Sequence, residues 1–246
     1  MTDGERFRDT LLANLASVRG RVAEACRRAG RSPDEVTIVG VTKYVSATTA
    51  RIAHDCGLVD LGESRPQTLW EKAESLGDLE PPPRWHLIGH LQRNKVRRTL
   101  PVLHRLHSLD SMRLLETVAA EAAAAGRYCD ALVEVNVSGA DGRTGVAMDD
   151  VAGLVAAAAR TTHLRIRGLM AMAGLPDGDP ASARREFALV RELRDRLATT
   201  VAGGEGLREL SMGMSGDFEA AILEGATLLR LGSVLLPPPG PGDASA

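Results

Sequence analysis

Apolar residues recur along the chain at two alternating periods. Phe7, Leu11, Leu12, Leu15, Val18, Val22 and Ala25 fall mostly three or four apart, the spacing that lines one face of a helix. The first thirty residues are therefore predicted to form one amphipathic helix, about 5–30, with Gly30 and Pro33 punctuating its end. Next comes VTIVGV, 36–41, a short apolar run of β-branched residues that reads as a buried strand. The alternation then repeats. Helices are predicted over 46–57, 65–76, 94–100, 111–125, 149–160, 180–199 and 217–224, and strands over 59–62, 85–88, 105–108, 131–137, 164–170, 209–211 and 227–231.

Eight strand–helix alternations in 246 residues are the arithmetic of an α/β fold of one kind, a single (β/α)8 TIM barrel. A doubly wound open sheet would normally use fewer strands at this length. No composition shift marks an internal boundary, so one barrel domain is placed at 1–236. The remaining segment, 237–246, reads PPPGPGDASA. It carries no apolar pattern and is predicted to be disordered.

Charge and composition narrow the function classes. The formal net charge is −2 and aromatics are 3%, which argues against a phosphate-gripping surface or a base-stacking platform, so no nucleic-acid partner is expected. No apolar run reaches membrane-span length, and the opening MTDGERFRDT has no apolar signal core. A cytoplasmic protein without a membrane partner is expected. Cys26, Cys56 and Cys129 are odd in number and widely spaced, the pattern of free thiols. Lysine is nearly absent: Lys43, Lys72 and Lys95 stand against 27 arginines. Only lysine can form a Schiff base, so each retained lysine invites a chemical reading.

Barrels carry chemistry at the carboxyl ends of their strands, which selects candidates by position. Lys43 follows the first predicted strand, and Gly62, Glu63 and Ser64 follow the second. His86 and Gly89 end the third, Asn136 the fifth, and Met170 and Met172 the sixth. SMGMSGD, 211–217, follows the seventh and supplies Ser211, Met212 and Ser215; Arg230, Gly232 and Ser233 end the eighth. Loops after the seventh and eighth strands are a common phosphate site, with Ser215 or Asp217 as the N-cap of the helix that follows. An amine at strand one facing a phosphate cradle is the layout of a pyridoxal phosphate binder. Arg230 in the place of an acidic partner would leave the cofactor's ring nitrogen unprotonated, because two positive groups in contact repel. A partly buried ion pair is the plainer reading of Arg230.

The segments VTIVGVTKYVSATTA, LGESRPQTLWEK, WHLIGHLQRNK, VEVNVSGADGRTGV, IRGLMAMA and LSMGMSGDFEAAILEGATLLRLGSVLL resemble the pyridoxal phosphate homeostasis proteins, an alanine racemase N-terminal-like family, from about residue 10 to 236. The resemblance implies a single barrel that binds pyridoxal 5'-phosphate and buffers or delivers it. It implies Lys43 as the Schiff-base lysine and Arg230 near the ring nitrogen. It implies Ser215, Gly232 and Ser233 at the phosphate, with Ser211 and Met212 close by. Ser64, His86, Asn136 and Met170, at neighbouring strand ends, complete the expected cofactor-binding set. Four positions depart from the family pattern: Ser64 where the family has Asn, His90 where it has Pro, and Arg143-Thr144 where it has Lys-Ser.

Three other readings compete. An amino-acid racemase needs a second base opposite the lysine; the tyrosines are Tyr44 and Tyr128, and Tyr44 is expected to point away from Lys43 because adjacent strand residues alternate faces. Weak racemase activity is the alternative function. A metal-dependent hydrolase would draw on His86, His90, His104 and His107, which read better as structural histidines. An interaction protein handing cofactor to apo-enzymes by contact is compatible with the first reading. A monomer is expected.

Overall fold

The chain is described here from a computed structural model, which covers residues 2–140, 142–174 and 180–236. Its helices are α1 (Asp3–Arg28), α2 (Ala47–Asp55), α3 (Pro66–Ser75), α4 (Val96–Thr99), α5 (Met112–Ala124), α6 (Val151–Ala158), α7 (Pro180–Thr200) and α8 (Phe218–Leu223). Its strands are β1 (Thr37–Val41), β2 (Asp60–Glu63), β3 (Arg84–Leu87), β4 (Leu103–Leu109), β5 (Cys129–Asn136), β6 (Val146–Ala147), β7 (Leu164–Ala171), β8 (Glu209–Ser211) and β9 (Leu228–Leu231). Every pairing is parallel, in the order β1-β2-β3-β4-β5-β7-β8-β9, and β9 pairs back with β1. The barrel is closed with eight strands, as the alternation predicted. β6, which was not predicted, adds two residues beside the end of β5; so short a segment leaves no period to read.

Strand alternation sorts side chains into two apolar layers. Val39, Leu132, Met170 and Leu228 meet inside the barrel. The opposite faces, with Leu61, Leu87, Leu106, Val133, Leu169, Leu210 and Leu229, pack under the helices. Each amphipathic helix brings one stripe to that layer: α7 buries Phe187, Val190, Leu193 and Leu197, each contributing about 1.5–3 kcal/mol by leaving water. Helix starts are set by hydroxyls. Ser46 Oγ accepts from the Thr49 N–H, 3.2 Å away, and starts α2; Ser111 Oγ does the same for α5. The predicted helix 94–100 reduces to α4 with a 3-10 turn on each side, because Pro101 cannot continue it. The segment 237–246 lies outside the described residues. Among the described residues no helix is long and apolar enough to cross a membrane.

Candidate functional site

Lys43 stands in the turn between β1 and the Ser46 cap of α2, with its side chain exposed. The residue before it is held from three sides. The Thr42 N–H donates to the Gly62 carbonyl (3.0 Å), Thr42 Oγ1 donates to Glu63 Oε1 (2.6 Å), and Lys72 Nζ donates to the Thr42 carbonyl (2.7 Å). Lys72 also pairs with Glu63 Oε1 at 2.6 Å, both side chains almost fully buried. Lys72 is thus structural, Lys95 is half-buried in the turn just before α4, and Lys43 is the lysine presented to a cleft.

That cleft, about 580 Å³, lies at the carboxyl ends of the strands. Its walls are apolar where Val41, Ile88, Met172 and Leu236 line it. Its polar groups are Lys43, Tyr44, Ser64, Ser215, Arg230 and Ser233, with the backbone of Gly216 and Gly232. Ser215 Oγ accepts from the Val234 N–H at 3.2 Å, tying the loop after β8 to the loop after β9. Asp217 stands at the N-cap position of α8, but its side chain does not cap the helix. Its Oδ1 accepts from the Met214 N–H at 2.6 Å and closes the loop instead, while burial pushes its pKa up.

Arg230 is fully buried beneath the cleft. Nη1 donates to the Ser211 carbonyl and to Ser211 Oγ, both at 2.7 Å, and Nη2 donates to the Ala171 carbonyl at 2.9 Å. Burial pulls its pKa down to about 10, against the pull of Asp217 and Glu134, so it stays a cation at neutral pH. The ion-pair reading is corrected: the acceptors in contact with Arg230 are two carbonyls and a hydroxyl. Behind it, Ser211 Oγ lies 2.8 Å from His107 Nδ1, His107 Nε2 lies 2.8 Å from His86 Nδ1, and His86 Nε2 lies 2.9 Å from Asp60 Oδ1. Arg84 forks onto both Asp60 oxygens from the opposite mouth of the barrel. Asp60, His86 and His104 bring donor atoms within 4.8 Å of one another. Arg84 and His86 both bond that carboxylate, so Asp60 is charge-compensated within the protein.

Of the predicted site residues, Lys43, Ser64, Ser215, Arg230, Gly232 and Ser233 line one cleft. Five others do not. His86 points into the barrel interior toward Asp60 and His107. Met170 is one layer below the cleft, against Val39 and Leu132. Ser211 sits behind Arg230. Met212 is fully buried in the layer under the helices. Asn136 lines an adjoining cleft of about 380 Å³ with Glu134, Arg143 and Thr144, its amide donating to the Ala140 carbonyl. The two clefts share Met172 and Met214. Tyr44 reverses its expectation: residues 43 and 44 form a turn, not a strand, so both line the cleft, with Lys43 Nζ 4.8 Å from the Tyr44 ring centre. Ile88 and Met214 were missed as wall residues, and Met172, named at its strand end, was left out of the expected cofactor-binding set. Ile88 and Met172 follow His86 and Met170 by two, each one residue past the end of its strand, so their signal was the strand end itself.

At the departures, His90 Nδ1 pairs with Asp110 Oδ2 at 2.9 Å. Its neighbour Gly89 passes so close to the loop after β2 that a Cβ there would lie 2.3 Å from the Ser64 carbonyl oxygen. Arg143 is exposed and lies against Gly174.

A closed parallel barrel with a lone amine after β1 and hydroxyl-bearing loops after β8 and β9 defines a class, and the model of that class, the alanine racemase N-terminal domain, matches residues 14–236. The chain belongs to this family, in its branch of pyridoxal phosphate homeostasis proteins. The protein of that description from Pseudomonas aeruginosa is 38% identical over 92% of this chain and 94% of its own. The one from Aquifex aeolicus is 37% identical over 90% of this chain and 95% of its own. Among solved structures, PipY of Synechococcus elongatus PCC7942 with PLP bound superposes with a TM-score of 0.80 at 31% identity, covering 92% of this chain and 99% of that one.

Proposed function

We propose that this protein binds pyridoxal 5'-phosphate in the Lys43 cleft and serves to buffer and deliver it, without turning over a substrate of its own. The observation that carries the reading is the convergence of Lys43, Arg230 and the Ser215–Ser233 loops on one cleft. The donor set fits the cofactor group by group. An exposed amine suits an aldehyde, hydroxyls and backbone N–H groups suit a phosphate, and apolar walls suit a flat ring. The printed description of the relatives and the PLP-bound PipY support the same ligand.

When bound, the cofactor supplies an aldehyde and an electron-withdrawing ring. Lys43 would provide the amine that holds the aldehyde end of the cofactor. Ser215, Gly232 and Ser233 hold the phosphate. Arg230, a cation buried beneath the cleft, would sit on the ring side of the cofactor and disfavour a proton on its ring nitrogen, which would favour storage over turnover. The protein is taken to act in the cytoplasm as a monomer, with apo-enzymes that use the cofactor as recipients.

The test is an absorption spectrum with added pyridoxal 5'-phosphate, before and after borohydride, followed by peptide mapping. Label trapped on the peptide containing Lys43 is expected. Absence of label, or label on Lys72 or Lys95, overturns the reading. Tyr44 at the cleft favours a second reading, weak racemisation; it predicts deuterium exchange into alanine that Tyr44→Phe abolishes.

A further inference from the structure

Five buried residues make four hydrogen bonds in series through the barrel interior, from Arg230 through Ser211, His107 and His86 to Asp60. The series begins at the cleft and ends at the first residue of β2, where Arg84 covers the opposite mouth. Its two ends are chemically fixed. A guanidinium only donates and an ionised carboxylate only accepts. The three groups between them can each donate once and accept at least once when the histidines are neutral.

Only one placement of hydrogens then satisfies every contact. Asp60 accepts, so His86 carries its proton on Nε2 and accepts at Nδ1. His107 must therefore donate from Nε2, which leaves its Nδ1 as an acceptor. Among the described residues Ser211 is the group that faces that nitrogen, so its hydroxyl donates there and its lone pairs are left for Arg230. The environment supports neutral rings. Burial lowers the pKa of both, and His107 is held down further by its neighbours His86, Arg230 and Arg105. Asp60 is ionised: burial raises its pKa, but hydrogen bonds from His86 and Arg84 outweigh it.

We propose that His107 and Ser211 are positioning residues of the cofactor site, and that the chain from Asp60 orients the Ser211 hydroxyl away from Arg230 so that the guanidinium is fixed beneath the cofactor's ring nitrogen. A serine free to rotate could turn its proton toward the guanidinium and lose that bond. With His107 as its acceptor the hydroxyl has one orientation, and Nη1 keeps two acceptors on the same residue. The inference rests on the cofactor reading above, but the direction of the chain does not.

Two measurements test it. In the cofactor-free protein at pH 7, long-range proton–nitrogen NMR reads the histidine tautomers; His86 and His107 are both expected as Nε2–H. Either ring found as Nδ1–H or doubly protonated overturns the chain. In protein loaded with ring-15N pyridoxal 5'-phosphate, the ring-nitrogen shift and the release half-life are compared across variants. Ser211→Ala and His107→Phe are expected to move the ring nitrogen toward its protonated shift and to hasten release about fivefold, while Ser211→Thr, which keeps the hydroxyl, stays within about twofold. Ser211→Ala with the wild-type shift and half-life overturns the positioning role, and this variant decides the matter if His107→Phe does not fold. Wild-type protein that takes up no pyridoxal 5'-phosphate overturns the cofactor reading instead, and the tautomers still judge the chain.

Discussion

Lys72 Nζ lies 2.7 Å from the carbonyl oxygen of Thr42, the residue immediately before Lys43. The same ammonium pairs with Glu63 Oε1, which also accepts from Thr42 Oγ1. A buried lysine thus fixes the backbone from which the exposed lysine projects. Lys72→Met leaves the Glu63 carboxylate buried without its cation, its Oε2 having no partner already. A loss of about 3–5 kcal/mol in urea unfolding is expected. Replacing both members, with Glu63→Leu beside Lys72→Met, should recover much of that loss. A single variant as stable as wild type would remove the clamp from the account.

The phosphate loops can be tested apart from the fold. A Cβ at Gly232 would meet Val41 at 3.6 Å, an ordinary contact, so Gly232→Ala should unfold at the wild-type urea concentration. Its affinity for pyridoxal 5'-phosphate should fall, because backbone approach there is what a phosphate requires. Ser233→Ala should weaken the phosphorylated ligand by about 1–2 kcal/mol and leave pyridoxal unaffected. Equal losses for both ligands, measured by fluorescence titration, would place the phosphate elsewhere.

Arg230 faces the carbonyls of Ser211 and Ala171, so an acidic substitution there would set acceptor against acceptor. Arg230→Gln keeps a donor and removes the charge. It is expected to let the ring nitrogen take a proton and to raise slow amino-acid side reactions above background, read as deuterium exchange into alanine. A variant that binds cofactor yet shows no change in exchange or spectrum would contradict a blunting role for Arg230.

The buried histidines make stability depend on pH. His86 and His107 are held below the ordinary value of 6.5, chiefly by burial. The unfolded chain therefore binds more protons as pH drops below that value. The contribution of these rings is complete above about pH 6.5 and is lost progressively at lower pH, by about 1.4 kcal/mol per pH unit for each fully buried ring. The acids Glu134, Glu209 and Asp217, raised by burial, work in the opposite direction at more acidic pH. Urea unfolding at about pH 7.5 and 5.5 should show lower stability at the acidic value. Equal stability at both would mean that the rings are not neutral in the fold.

The barrel was legible because its strands and helices carry different apolar periods, and because closure needs only their count and order. Facing was legible as well: Lys43, Ser64, Arg230 and Gly232 line the cleft as their strand positions implied. Depth was not. His86 and Met170 lie on the predicted inward face but one layer below the cleft, and Ile88 and Met172 take the places assigned to them. A period of two says which way a side chain points; the layer it reaches depends on register between strands, which pairing across the sheet decides. Met212 failed for a related reason, since it alternates with Ser211 and turns outward. Tyr44 failed because the strand ends at Val41 and the rule of alternation ends with it.

The scarcity of lysine has a consequence for chemical cleanliness. An aldehyde condenses with any accessible unprotonated amine it meets, and guanidinium groups do not compete for it in this way. With 27 arginines carrying the positive charge, Lys72 sealed in its ion pair and Lys95 half-buried, Lys43 is the side-chain amine left fully in the open. A surface of arginine lets the molecule keep its charge and solubility while presenting reactive aldehydes with a nearly blank exterior. On the function proposed above, a carrier built this way would take its load at one address and escape being slowly tanned by its own cargo.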